Sequence, residues 1–347
     1  MATLWFCLAT VVICGYVLLD GFDLGAGIVQ LFVPRTEREK TEVLNSIASV
    51  WDANEVWLVA AGGTLFLAFP VLYASAFSGF YLALMIVLWL LILRGIAVAF
   101  SNHVDGELWR HLWSTVFGLA SAALAIVFGI ALGNVVRGVP LDQDRYFFLP
   151  LWTNLVPQGQ VGIIDWYTLL VGAAAYVALA DHGALWVVLK TEDDLQDRVR
   201  TFAGKCWVAQ ITLTIVVTIA SFYIQPNLAK QFISHPLGFV FPLIAAAGIV
   251  GLRPISSRRR DLPAFLASCL YLLGMLTSVA FGLFPNVLPS NSAVSASLTI
   301  YNAAAGEHGL MVGIWWFIPG VLVAMIYQVL VYRYSFEKGS PRSIGQH

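Results

Sequence analysis

The chain has 347 residues, of which 59% are hydrophobic and only 11% charged, with a net charge of −1 and a mean hydropathy of +0.80. Soluble domains carry about 25% charged residues, so this composition excludes a soluble globular protein and points to a polytopic membrane protein. A near-neutral chain without a basic tail also excludes nucleic acid as a partner.

A membrane span needs about 20 mostly apolar residues. Nine stretches qualify in chain order: Leu4–Phe32, Val56–Tyr73, Phe77–Phe100, Leu112–Val136, Trp166–Leu189, Phe202–Ile224, the short Leu237–Leu252, Pro263–Phe284 and Met311–Tyr332. The N-terminus lacks the positive n-region and small-residue cleavage site of a signal peptide, so the first stretch is expected to stay as a helix. Pro70, Pro242 and Pro319 lie inside or beside spans, where neighbouring helices can satisfy the freed carbonyls. No soluble domain fits between spans, and residues 1–347 are expected to form a single transmembrane helical domain. The longest connections, Arg137–Asp165 and Pro285–Leu310, are rich in aromatics, Pro and Asn and predict caps over one face. Within the second, Pro285–Ser290 and Ser297–Ala303 read as ordered turns.

Lys and Arg mark the inner side of a membrane. With nine spans, all 19 except Arg137, Arg145 and Lys230 fall on the side of the first connection. That count includes Arg94 and Arg110 after the third span, and Lys338 and Arg342 in the tail. The expected fold is therefore an all-α polytopic membrane protein with about nine transmembrane helices, N-terminus outside and C-terminus cytoplasmic.

Two acidic clusters stand out against this apolar background. Asp20 and Asp23 lie inside the first span, and Asp52 with Glu55 open the second. A carboxylate at the bilayer centre costs roughly 2.5–3.5 kcal/mol even on lenient scales, so such groups are expected to face the bundle interior and carry function. Each pair shares a helix face at i,i+3, and both clusters are expected to open to the cytoplasm as proton carriers. Capping the second helix is the competing role for Asp52 and Glu55; a helix-to-helix hydrogen-bonded lock is the competing role for Asp20 and Asp23. Gly21, Gly25 and Gly27 form a small-residue surface for close helix approach. Gly62 and Gly63, following Trp51 and Trp57, mark a second expected tight contact.

Asp181 and His182 are a further polar intrusion, in the fifth span. The other histidines (His103, His111, His235, His308, His347) fall in connections, at helix ends or in the tail, with no i,i+4 pair and no opposed mid-membrane pair. That pattern predicts no haem site and no metal in this chain. Cys7, Cys14, Cys206 and Cys269 show no metal-ligand spacing and read as small buried hydrophobes.

Several stretches resemble subunit II of the cytochrome bd-type quinol oxidases. They are Asp20-Gly21-Phe22-Asp23-Leu24-Gly25-Ala26-Gly27, Leu44-Asn45-Ser46-Ile47, Trp51-Asp52-Ala53-Asn54-Glu55-Val56-Trp57-Leu58 with Ala61-Gly62-Gly63, Phe66–Pro70, Tyr73–Tyr81, Phe284–Ser290 and Ser297–Ala303. Ala53 departs from the glycine usual in that family. The resemblance implies a non-haem subunit in a bacterial or archaeal cytoplasmic membrane. It would pack against a haem-bearing subunit I that holds two b-type haems and one d-type haem, oxidises quinol and reduces oxygen to water. It further implies a proton route from the cytoplasm through Asp52, with Glu55, Asp20 and Asp23 in support. A small single-helix subunit and a bound quinone or lipid are possible additions, and this chain alone would be inactive. A secondary transporter using the same carboxylates, or a purely structural scaffold, are the alternatives. A transporter would show paired broken helices in two halves, and no such repeat divides nine spans.

Overall fold

The computed structural model describes residues 1–101, 104, 106–292 and 297–336. His103, His347, Lys338 and Arg342, which enter the expectations above, lie outside the described residues, as do residues 293–296 of the second long connection.

Twelve helices account for most of the described chain. They are α1 (Ala2–Phe32), α2 (Glu37–Ala48), α3 (Trp51–Ala68), α4 (Pro70–Gly79), α5 (Tyr81–Phe100), α6 (Glu107–Arg137), α7 (Trp166–Lys190), α8 (Asp193–Ile224), α9 (Pro226–Ser234), α10 (Val240–Ser257), α11 (Asp261–Leu283) and α12 (Glu307–Phe336). Among the described residues eight helical segments are long and apolar enough to cross a membrane, the sixth being α10 extended by the 3-10 turn Pro236–Phe239. The protein is an all-α polytopic membrane protein, and its helices carry the apolar sequence that lipid demands, because only a helix satisfies its backbone within one segment.

The second expected span has no counterpart among these eight segments, and here the structure departs from the sequence expectation. Val56–Tyr73 is not one helix: α3 starts earlier, at Trp51, and stops at Ala68, and Pro70 opens α4 as its first residue. Proline has no N–H to continue the ladder and its ring clashes with the preceding turn. The carbonyl of Ala68, freed at the break, accepts the N–H of Ala305 at 2.9 Å. Two helices were also absent from the expectation. In α2, Thr36 caps the helix by accepting the N–H of Glu39, and Pro226 opens α9.

α1 runs through the middle of the bundle against α3, α6 and α7, with α11 close by; α5 packs on α6, α8 on α7, and α10 on α11. The close approach of α1 to α7 is set by glycine. A Cβ at Gly25 would overlap the Leu179 carbonyl and the Gly183 backbone, and one at Gly183 would overlap Gly25. The two long connections form the expected cap. β1 (Asn286–Leu288) pairs antiparallel with β2 (Leu298–Thr299), and Val139 exchanges backbone bonds with Pro289 and Asn291. Val139, Leu141, Phe147, Leu149, Ile163, Leu288, Leu298 and Ile300 bury together with Trp5 and Phe69 beneath it. Cys14 and Cys206 are buried as expected, Cys269 is half-buried, and Cys7 is exposed, because the outer turns of α1 present one face away from the bundle.

Candidate functional site

Asp20 and Asp23 are fully buried on α1, one turn apart and facing α3 and α5. The partner of Asp20 is Arg94 of α5, at 2.8 Å, and the other arm of Arg94 reaches Glu55 of α3 at 3.5 Å. Exposure is graded along this chain of charges: Asp52 is exposed, the Glu55 side chain is 27% exposed, Arg94 is 2% exposed and Asp20 is closed to solvent. Tyr16, one turn before Asp20, lies within electrostatic reach of Asp20, Arg94 and Glu55. The Arg94–Asp20 contact is an ion pair without aligned hydrogen-bond geometry, and both Asp20 oxygens and all three Arg94 nitrogens lack an aligned partner among the described residues.

Asp23 sits in a neutral network beside this pair. Asn54 donates to Asp23 Oδ2 at 2.9 Å, while its own Oδ1 accepts from Gln328 Nε2 at 2.7 Å and from Tyr332 Oη at 2.9 Å. Trp57 Nε1 donates to Gln328 at 3.4 Å. α1, α3, α5 and α12 are thus joined by polar side chains at membrane depth, where an unpaired polar group is most costly.

Both acidic clusters of the sequence reading meet here, and Arg94 joins them. The tally of inner-side charges placed Arg94 in a connection; the structure places it within α5, buried and paired. An arginine six residues from a helix end can snorkel to the interface, and nothing local distinguishes that case from an inward one. The signal was a lone charge in the helix with the highest mean hydropathy of the eight membrane-length segments, 2.6. Asn54, Gln328 and Tyr332 were also missed as members. Asp52 does not cap α3, whose N-cap is Val50 without a side-chain bond; it lies in the first turn, where its charge favours the helix dipole.

The glycines divide into two groups. A Cβ at Gly21 would meet Leu179 of α7, and one at Gly27 would meet Ser121 and Phe117 of α6, so these two glycines, like Gly25, lie at close helix approaches. Gly62 and Gly63 have nothing within 4 Å of a Cβ, so the tight contact expected of them is not found among the described residues. Trp51 packs on the buried cluster around Phe22 and Trp186, and the Trp57 ring covers Gly15.

Asp181 and His182 are fully buried on α7, but they do not join the cluster. His182 Nδ1 is 2.7 Å from Ser268 Oγ and Nε2 is 3.0 Å from the Leu18 carbonyl. Both nitrogens are thereby committed to α11 and α1, leaving none to ligate a haem iron. Among the described residues no three His, Cys, Asp or Glu side chains gather as a metal ion would require.

With this geometry in hand, a family model described as cytochrome bd terminal oxidase subunit II matches residues 1–335. The chain belongs to that family. It is accordingly a membrane subunit of a bd-type quinol oxidase. It is 29% identical to the cytochrome bd-I ubiquinol oxidase subunit 2 of Escherichia coli K12, over 96% of this chain and 94% of that one. It is equally 29% identical to the cytochrome bd ubiquinol oxidase subunit 2 of Bacillus subtilis 168, covering 97% of each. A chain in the structure of the bd oxidase from Geobacillus thermodenitrificans superposes with a TM-score of 0.75 at 18% identity, covering 97% of this chain and 99% of that one; this likeness concerns the fold.

Proposed function

We propose that this family member is the non-haem partner of a haem-bearing subunit I and carries protons from the cytoplasm toward the oxygen-reducing site. Asp52 stands at the mouth, Glu55 lies next inward, and Asp20 and Asp23 end the path, while the Arg94 guanidinium, which stays charged, holds Glu55 and Asp20 beside one another. The two b-type haems and the d-type haem, with quinol oxidation and the reduction of oxygen to water, belong to subunit I. The haems supply the redox chemistry; the residues of this chain hold and move protons. A cytoplasmic mouth is supported by the excess of Lys and Arg that the nine expected spans put on the side of α2.

One observation carries the reading: a half-exposed carboxylate, Glu55, is linked through a single buried guanidinium to a carboxylate closed to solvent. Intramembrane ionisable groups of this kind mark ion and proton paths. The exposed face of α3 and α5, with Gly62, Gly63 and Gly95 open and Val59, Phe66 and Trp89 exposed, suits close packing against subunit I, since small residues let helices approach.

The test is Asp52→Asn and Glu55→Gln in the assembled oxidase. Oxygen consumption and proton uptake should fall about tenfold or more with haem content unchanged, equivalent to ~1.4 kcal/mol on the proton-transfer step. Full activity in both variants would remove the conduit and leave the cluster as a helix-to-helix lock. That second reading is favoured by Arg94 itself, which ties α1, α3 and α5 together.

A further inference from the structure

We infer that the hollow between the N-terminal part of α8 and the C-terminal part of α10 is a binding site for an anionic membrane phospholipid. The hollow has a volume of about 680 Å³ and is lined by Arg200, Thr201, Lys205, Arg253 and Ser256 around Gly204. The Arg253 guanidinium lies over Gly204, with Nη1 2.6 Å from where a Cβ would stand.

Two nearby acids are already engaged. Asp261 holds Arg200 at 2.6 Å, and Asp197 holds Arg259 at 3.2 Å. Lys205 and Arg253 have no ion pair among the described residues, and Arg200 Nε is buried without a hydrogen-bond partner. The hollow therefore presents uncompensated positive charge and free donors, which an acceptor-rich anion such as a phosphodiester would satisfy.

Its depth identifies the anion's source. α8 has 32 residues, about 48 Å at 1.5 Å per residue, against a hydrocarbon core of about 30 Å. The apolar part of α8, Trp207–Ile224, is about 27 Å long, so Lys205 stands at the headgroup level. Directly beyond it Val208, Ile215 and Ile219 on α8 are exposed, as are Val250 and Leu243 on α10. A headgroup in the hollow would thus have apolar helix faces continuing away from it for its acyl chains. Basic pockets between helix ends bind anionic headgroups on these grounds.

The experiment uses the purified oxidase complex, stripped of lipid with detergent and titrated with dioleoylphosphatidylglycerol under native mass spectrometry. The wild type and the charge-conserving K205R/R253K should bind it alike. K205Q/R253Q should bind roughly 30-fold more weakly, the equivalent of about 1 kcal/mol for each charge removed. If that pair does not assemble, the single K205Q, an exposed side chain, carries the test at about fivefold. Unchanged affinity in the glutamine variants would overturn the site, as would equal binding of dioleoylphosphatidylcholine. Displacement of the lipid by an equal concentration of inorganic phosphate would show a free-anion site and overturn the lipid assignment.

Discussion

Replacing Arg94 by methionine tests whether the cluster is ionic in the way the geometry states. At 2.8 Å from Asp20, the attraction between unit charges is about 6 kcal/mol at an effective dielectric of about 20. Removing both ions from water costs several kcal/mol each, so the pair is close to neutral for stability as a whole. Removing one member is not neutral. Asp20, closed to solvent, would be left as an uncompensated buried charge, a loss of about 3–5 kcal/mol. Methionine keeps most of the side-chain volume, so packing contributes little.

The double variant R94M/D20N separates the charge effect from packing. With the carboxylate gone, most of the 3–5 kcal/mol should return, because both partners are then uncharged. Melting of the detergent-solubilised complex, followed by size-exclusion recovery and haem absorbance, reads both variants. The single variant should melt well below the wild type and the double should melt well above the single. If R94M melts with the wild type, or D20N adds no recovery, Asp20 and Arg94 are not an ion pair and the proposed path loses its central link.

Two more outcomes follow from the geometry. Gly25→Ala should destabilise the chain by about 1–3 kcal/mol or more through overlap with α7, whereas Gly62→Ala should leave its melting unchanged outside the complex; equal effects of the two on isolated chains would contradict the packing described. Glu39 of α2, although burial pushes its carboxyl up, is held below its ordinary value of 4.5 by the Arg35 N–H and the Arg198 guanidinium. A lowered folded pKa stabilises above the unfolded value and is lost as pH falls through the folded one. Hydrogen exchange at the α2 amides should therefore accelerate in acid below about pH 4.5 in the wild type but not in Glu39→Gln, whose exchange should be fast and pH-independent after correction for intrinsic rates.

Much of the bundle was legible because lipid imposes one rule on every span, and apolar length reports it directly. The acids of α1 were legible for the converse reason, since a carboxylate in such a stretch has few tolerable explanations. What was not legible depended on direction or distance. Arg94 could face the lipid interface or the interior, and only the packing of α5 on α6 with α1 beyond decides. The bonds from Asn54 to Gln328 and Tyr332 join positions more than 270 residues apart, so no local pattern could pair them. The α2 helix had its signal in Thr36-Glu37-Arg38-Glu39, a capping residue with an acid three positions on. Low hydropathy hid it in a search for spans. Pro70 was read as tolerated within a helix, but a break was cheaper because the cap supplies Ala305 to the carbonyl it frees.

Two buried acids of this chain have different connections, and the contrast supports the proposed path. Asp181 is as deeply buried as Asp20, and its oxygens also lack a partner among the described residues. Around it lie Cys206 and Tyr271, with His182 committed to Ser268 and the Leu18 carbonyl. No ion pair leads from Asp181 toward an exposed acid among the described residues. Asp20 by contrast is one guanidinium away from Glu55, and Glu55 is one helical turn from the exposed Asp52. A proton carrier needs both a place shielded from bulk water and a connection to it. Burial supplies the first condition at both sites. Of these two sites, the seam of α1, α3 and α5 is the one with an ion-paired link toward an exposed acid among the described residues, and the link is Arg94, which the apolar pattern of its own helix gives no reason to keep.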